Sequence, residues 1–232
     1  YPEGEEEKII RAANAVVADG IGKAILVGRE SKIKSAIKDL QLDENNFEIR
    51  DPSTCKKSED YATILYRKRH RKGITQKKAM ELMKEPNYYG SMVVESGDAD
   101  TLIGGLTTHY PNTIRPALQC IGVKEGKKNV AGLHIVINNR KAYFFADTSV
   151  NLDPSAEQLA EIAILSADTV RDFDIEPKVA MLSFSNFGSV KHESPLKVKR
   201  AVEIVKEKRP DIIIDGEMQA DTAVVPEILE RE

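Results

Sequence analysis

Residues 9–50 read IIRAANAVVADGIGKAILVGRESKIKSAIKDLQLDENNFEIR, and this stretch decides the fold class. Ile9, Ile10, Ala13, Val16 and Val17 recur at the spacing of one helix face, and Asp19-Gly20 closes that helix. Ala24–Val27 is a short apolar run that reads as a buried strand. Gly28 then opens a turn into a second helical pattern through Ile33 and Ile37 to Leu40. Phe47–Arg50 reads as another strand. Helix, strand, helix, strand is the rhythm of parallel strands covered by helices. An α/β chain is expected.

Working outward, Tyr61–Met83 is helical with a break near Gly73, and Ser91–Val94 and Leu102-Ile103 read as strands. Val130–Ile137 alternates, Asn138-Asn139-Arg140 is turn chemistry and Lys141–Ala146 is another strand, so an antiparallel hairpin interrupts the parallel pattern. Asp153-Pro154 supplies a cap and a proline to a helix whose buried face carries Leu159, Ile162, Ala163, Ala167 and Val170. Val179–Ser183 is a further strand. Ser194-Pro195 repeats the capping device before Val198, Ala201, Val202 and Val205. Ile212–Ile214 is the last strand, ended by Asp215-Gly216, and Pro226–Glu232 reads as a helix start. The expectation is one α/β unit over residues 1–232: a mostly parallel sheet with helices on both faces and an antiparallel hairpin, as two lobes with a cleft.

Composition narrows the function classes. At 232 residues with 41% hydrophobic and 31% charged residues, the chain can bury a sizeable core and is not a disordered polymer. A formal net charge of −3 argues against general affinity for nucleic acid or acidic membranes. Cys55 and Cys120 make neither a disulfide framework nor a metal motif. With no apolar run approaching a membrane span, a cytoplasmic setting is expected. Tyr1-Pro2-Glu3-Gly4 stands directly before a helical pattern without an initiator Met, so an excised domain, truncated at its C-terminus, is also expected.

Four polar clusters fall where strands are read to end, which is where open α/β sheets bind ligands. In Glu95–Gln119, ESGDADTLIGGLTTHYPNTIRPALQ, Gly97, Asp98 and Asp100 lead to Gly104-Gly105, the hydroxyls of Thr107, Thr108 and Thr113, and Arg115-Pro116. Backbone amides, hydroxyls and one guanidinium suit a phosphorylated ligand; the bland alternative is a polar turn before a helix. Ser183–Ser189, SFSNFGS, places Ser183, Ser185, Asn186 and Ser189 around Gly188. It is either a cradle for a phosphate or acyl oxygen, or a loop that satisfies its own backbone. Asp215 could hold an arginine or a ligand hydroxyl, or simply begin a turn. Tyr66–Lys72, YRKRHRK, is an anion site or a solvated helix face rather than a nucleic-acid patch. Arg69 and Arg115 could together grip one phosphate-bearing ligand. His70, His109, His134 and His192 lack metal-ligand spacing, and neither a P-loop nor a G-x-G-x-x-G is present.

In order, these clusters resemble the phosphate acetyl/butyryl transferase family. The likeness runs through Arg69–Gly73, the GDAD…TIRPALQ run, Phe145-Ala146-Asp147-Thr148 with Asn151, Pro154–Ala160, the serine loop, Lys208–Asp211 and Asp215–Gln219. The resemblance implies an isocitrate/isopropylmalate dehydrogenase-like fold whose cleft binds coenzyme A and acyl phosphate, without a metal or other cofactor in this domain. It matches Arg69 and Arg115 to phosphate-binding arginines, and Ser183, Ser185 and Ser189 to a substrate loop; Thr107, Asn186 and Asp215 join them as candidates. A homodimer or larger homo-oligomer is implied, as are small-molecule partners: acetyl-CoA, acyl phosphate or phosphate.

Two departures point further. The family's Ser-Arg-Gly motif, with the aspartate that follows it, has no counterpart here, so no catalytic residue is assigned. Thr107–Thr113 and Ser185–Ser189 look more like the C-terminal, phosphotransacetylase-like domain of hybrid NADP-dependent malic enzymes. On that likeness the domain would sense acetyl-CoA as a regulatory ligand, and NADP and a divalent metal would sit in another domain of the parent. An active phosphate acetyl- or butyryltransferase is the alternative.

Overall fold

The computed structural model describes residues 1–126 and 129–230, so the last residues of the expected helix start, Arg231 and Glu232, lie outside the described residues. The chain forms two compact units, Tyr1–Lys124 and Glu125–Glu232.

In the first unit, helix α1 (Glu7–Ala18) precedes strand β1 (Ala24–Val27), helix α2 (Glu30–Asp39) and strand β2 (Phe47–Arg50). The two strands pair in parallel, Ala24 opposite Phe47 through Val27 opposite Arg50. Residues 1–4 run beside β1: the Val27 N–H donates to Tyr1 O at 3.0 Å and the Gly4 N–H to Val27 O at 3.1 Å. Ile10 and Ala13 of α1, Leu26, Ile33, Ile37 and Phe47 form one apolar cluster. Burying side chains of this size contributes about 1.5–3 kcal/mol each. A second cluster joins α3 (Lys57–Arg69), α4 (Gln76–Leu82), α5 (Pro86–Glu95) and α6 (Tyr110–Cys120), through Leu65, Leu82, Tyr89, Met92 and Cys120 among others.

The second unit opens with the expected hairpin, β3 (Leu133–Asn138) against β4 (Lys141–Ala146), antiparallel. Asn139 and Arg140 have φ of 48° and 65°, the positive values that a tight two-residue connection requires. Helix α7 (Ala156–Arg171), β5 (Lys178–Leu182), α8 (Glu193–Lys208) and β6 (Ile213–Met218) follow, with short helices α9 (Ala220–Val224) and α10 (Pro226–Leu229). Ala160, Ala163 and Ala167 of α7 share a core with Ala201, Val202 and Val205 of α8 and Ile214 of β6. Small side chains let these helices approach closely.

Several expectations need correction. Among the described residues no sheet exceeds two strands: β1-β2 and β5-β6 are parallel and β3-β4 is antiparallel. The single mostly parallel sheet is not formed because Ser91–Val94 lies in α5 and Leu102-Ile103 in a loop. A four-residue apolar run fits a strand and a buried helix equally well. Pro86 in the first turn settles it, because its fixed φ presets a helix, and Tyr88, Tyr89, Met92 and Val93 then share one buried face. The cap of α7 is Ser155, not Asp153: its hydroxyl accepts the Gln158 N–H while Gln158 Oε1 accepts the Ser155 N–H, a reciprocal box. The cap of α8 is His192, whose Nδ1 accepts the Ser194 N–H at 3.2 Å. Strand β6 continues through Asp215-Gly216 to Met218. No helix among the described residues is long and apolar enough to cross a membrane.

Candidate functional site

Residues 96–109 link α5 to α6, and their conformation is set by a residue about a hundred positions away. Glu3 Oε2 accepts the N–H groups of Gly105 (2.7 Å) and Leu106 (2.8 Å). Its Oε1 accepts the N–H and hydroxyl of Thr107 (2.6 and 2.8 Å) and both donors of Thr108 (3.1 Å each). Burial works to raise this carboxyl, but the bonds from Thr107, Leu106 and Gly105 overcome it and pull it down to about 2. Pro2 packs on the same loop so tightly that a Cβ at Gly104 would lie 2.8 Å from its ring. Thr107 therefore has its N–H and hydroxyl engaged by Glu3.

Other groups in the stretch divide between structure and open space. Asp98 accepts from Lys57 Nζ at 2.7 and 2.8 Å and from the Tyr61 hydroxyl, with Arg50 at 3.7 Å, which makes it a packing anchor. Asp100, Leu102, Tyr110, Thr113, Ile114 and Ala117 line a cavity of about 380 Å3, and Thr113 Oγ1 is buried without a partner.

Helix α6 carries Pro116 in its interior, with Arg115 exposed beside it. A proline there has no N–H for the carbonyl four residues earlier. That carbonyl, Asn112 O, instead accepts from Asn87 Nδ2 of α5 at 3.3 Å. Arg69 ends α3, where the helix dipole favours cations, and its Nε is buried with no partner among the described residues. Neither Arg69 nor Arg115 forms a salt bridge among the described residues, whereas Lys68, next to Arg69 in the basic run, is paired with Glu95. Burial raises the Tyr88 hydroxyl, with Cys120 and Glu85 adding to the rise, and both Arg115 and Arg69 act against it. The Tyr88 hydroxyl itself donates to Gln119 Oε1 at 2.9 Å.

In the second unit the serine loop follows β5. Ser185 is fully buried and Asn186 nearly so. Asn186 Oδ1 accepts the Gln219 N–H (2.7 Å) and the Thr222 hydroxyl (3.1 Å). Gln219 Nε2 donates to Phe184 O at 2.9 Å, and Ser183 Oγ accepts the Ser185 N–H at 3.4 Å. Ser189 is exposed. Asp215 faces outward and, among the described residues, pairs with the exposed Lys206 at 3.3 Å. The buried carboxylate behind the loop is Glu217, 2% exposed, which accepts the Gly188 N–H at 2.6 Å. A third carboxylate of this type, Asp147, accepts the N–H groups of Gly132 and Asn151 at 2.7 and 2.6 Å and those of Ser149 and Val150 at 3.2 Å each. Burial acts to raise it, yet these bonds hold it at about 2. Among the described residues no cluster of His, Cys, Asp and Glu could hold a metal ion.

Residues 1–232 match the phosphate acetyl/butaryl transferase family from end to end. The chain belongs to that family. It is 41% identical over 231 residues to the phosphate acetyltransferase of Bacillus subtilis (strain 168), a match that spans all of this chain and 71% of the relative. Among solved structures, a phosphotransacetylase from Streptococcus pyogenes superposes with a TM-score of 0.91 at 35% identity, over 99% of this chain and 70% of that one. The EutD phosphotransacetylase from Staphylococcus aureus gives 0.87 at 37% identity, over 99% and 71%. The α/β architecture of helices and small sheets is theirs.

These relatives overturn the malic-enzyme reading, and with it the regulatory acetyl-CoA role, the NADP and the divalent metal expected of a parent enzyme. The residues that suggested it have local structural roles. Tyr110-Pro111 starts α6, a position where proline is favoured. Asn186 locks the loop to the start of α9, and Phe187-Gly188 makes a positive-φ turn. Sequence reasoning also missed Glu3 and Glu217 as the groups that organise both loops.

Proposed function

We propose that the protein carrying this chain is a phosphate acetyltransferase, moving an acyl group between acyl phosphate and coenzyme A. The observation that carries the reading is the pair Arg69 and Arg115, two guanidiniums on neighbouring helices that have no acidic partner among the described residues. Arg69 is half-buried with its Nε unpaired, which is costly unless an anion matches it, and the exposed Arg115 can join it through charge-assisted bonds to the phosphates of a ligand. The relatives' names support the same class of reaction.

In the proposed reaction the coenzyme A sulfur attacks the acyl carbon and a C–S bond forms. The bond from that carbon to the bridging phosphate oxygen breaks, and phosphate leaves with its electron pair while the thiol proton passes to a base or to the phosphate. The arginines of the first unit would bind phosphate groups. Ser183 and Ser189 form the second unit's element for an acyl phosphate oxygen, held in place by the buried Ser185 and Asn186; preorganised donors of this type stabilise charge that develops in the transition state. The isocitrate/isopropylmalate dehydrogenase-like assignment and a homo-oligomeric assembly belong to the same proposal, supported by the parallel β-α pairs and by family likeness.

The test is acetyl-CoA formation from acetyl phosphate and coenzyme A, followed by thioester absorbance, with butyryl phosphate alongside to rank the acyl group. Saturable turnover is expected. Absence of both turnover and acetyl phosphate binding would end the proposal.

A further inference from the structure

We propose that Glu217 is the positioning residue of the serine loop, and that the turn it holds presents the exposed Ser189 hydroxyl to an anionic oxygen of the ligand. The inference rests on the reading that this loop meets acyl phosphate.

Its starting point is a β-bulge. Met181 pairs with Gly216 and Leu182 with Met218, so Glu217 is the extra residue and is turned inward out of the strand's alternation. Only glycine can precede it, since φ is +135° at Gly216 and a Cβ there would lie 2.6 Å from Met181 O. Glu217 then supplies two acceptors to one turn: its backbone O takes the Phe187 N–H at 2.9 Å and Oε1 takes the Gly188 N–H at 2.6 Å. Phe187 and Gly188 have φ of 43° and 88°, and the first is a conformation that a bulky residue holds only when its surroundings enforce it.

The turn carries Ser189 over two donors. Ser185 Oγ accepts the Val190 N–H at 3.1 Å, and its single proton has two acceptors in reach, Ser189 Oγ at 3.1 Å and Glu217 Oε1 at 3.5 Å. Either hydroxyl can donate across the Ser185–Ser189 contact, and Ser185 can turn its proton to the Glu217 carboxylate instead. Ser189 Oγ also accepts the Asn186 N–H at 3.1 Å. The Asn186 amide and the Ser185 hydroxyl together fix the position of Ser189 Oγ. The residue stays exposed, so its hydroxyl is fixed at the loop surface where a phosphate oxygen can meet it.

The experiment is initial-rate kinetics with acetyl phosphate, with folding of each variant checked by amide spectra. Ser189→Ala is expected to raise KM for acetyl phosphate about tenfold. Glu217→Met, which removes the acceptor at similar volume, should do the same, and the double variant should be no worse than either single one, because one device is broken twice. Glu217→Gln keeps an acceptor for Gly188 and should restore KM to within about threefold. The Gly188 amide proton should lie far downfield in the wild type and move upfield in Glu217→Gln, a readout that survives if Glu217→Met does not fold. Additive effects, an unchanged KM in folded Glu217→Met, or an unmoved Gly188 amide overturns the positioning role. A wild type that neither turns over nor binds acetyl phosphate overturns the underlying function instead, and the inference with it.

Discussion

Replacing Glu3 by glutamine removes one charge and turns an acceptor into a donor at the centre of the loop after α5. The carboxylate takes two N–H groups on Oε2, from Gly105 and Leu106, and four donors of Thr107 and Thr108 on Oε1. If the amide oxygen keeps the threonine side, the new NH2 faces the Gly105 and Leu106 amides, donor against donor. A stranded donor costs about 1–3 kcal/mol when buried, and this loop is exposed enough for water to recover part of it, so the low end applies and the pair loses about 2 kcal/mol. Converted at 1.4 kcal/mol per decade, exchange of the Gly105 and Leu106 amide protons should speed up roughly 30-fold relative to wild type. The pH dependence has a defined sign. The folded carboxyl is depressed to about 2 from 4.5, so its stabilisation is fully present above about 4.5 and is lost as pH falls through 2. Protection of the Thr107 and Thr108 amides should follow that window. Exchange in Glu3→Gln within threefold of wild type, or protection lost already near pH 4.5, would refute the reasoning.

Three further outcomes are expected. Arg115→Ala should weaken binding of acetyl phosphate or coenzyme A by about 2 kcal/mol in calorimetry, the size of a lost charge-assisted bond, and unchanged affinity would count against the arginine pair. Ser155→Ala should destabilise the first turn of α7 by about 1 kcal/mol, read as faster exchange of the Gln158 amide; equal protection would mean the reciprocal box contributes nothing. Cys120 is fully buried, and burial pushes its thiol up to about 12, so alkylation of the native protein at pH 8 should label Cys55 first and leave Cys120 intact by mass spectrometry. Equal labelling of both would contradict the packing of α6.

Local pattern carried the strands that stand between clear punctuation. Ala24–Val27, Phe47–Arg50 and Lys141–Ala146 form as read, because short apolar or alternating runs between turn residues leave few other options. Ser91–Val94 failed because apolar run length alone does not separate strand from buried helix, although Pro86 upstream was a usable start signal. Asp153 and Ser155 both qualify as caps by residue type; the three-residue spacing from Ser155 to Gln158, visible in the sequence, separates them. Asp215 was readable as an outward position from the buried Ile212 and Ile214. The inward turn of Glu217 was not, since it depends on a bulge created by pairing with β5. Glu3 was illegible for a related reason: its partners lie about a hundred residues away, and nothing local marks the contact.

The two loops that looked like phosphate cradles share one property: the protein's own carboxylates already satisfy much of their donor capacity. Glu3 holds the threonine loop and Glu217 the serine loop, as Asp147 holds residues 149–151. Exposed turns rich in Gly, Ser and Thr carry N–H groups that no sheet or helix satisfies, and an internal anion is as good a partner as a ligand. Such composition therefore cannot separate a ligand site from a self-satisfied turn. What separates them is charge left over after the internal pairing is complete. By that criterion Glu3 makes the threonine loop self-satisfied, while Arg69 and Arg115 have no acidic partner among the described residues.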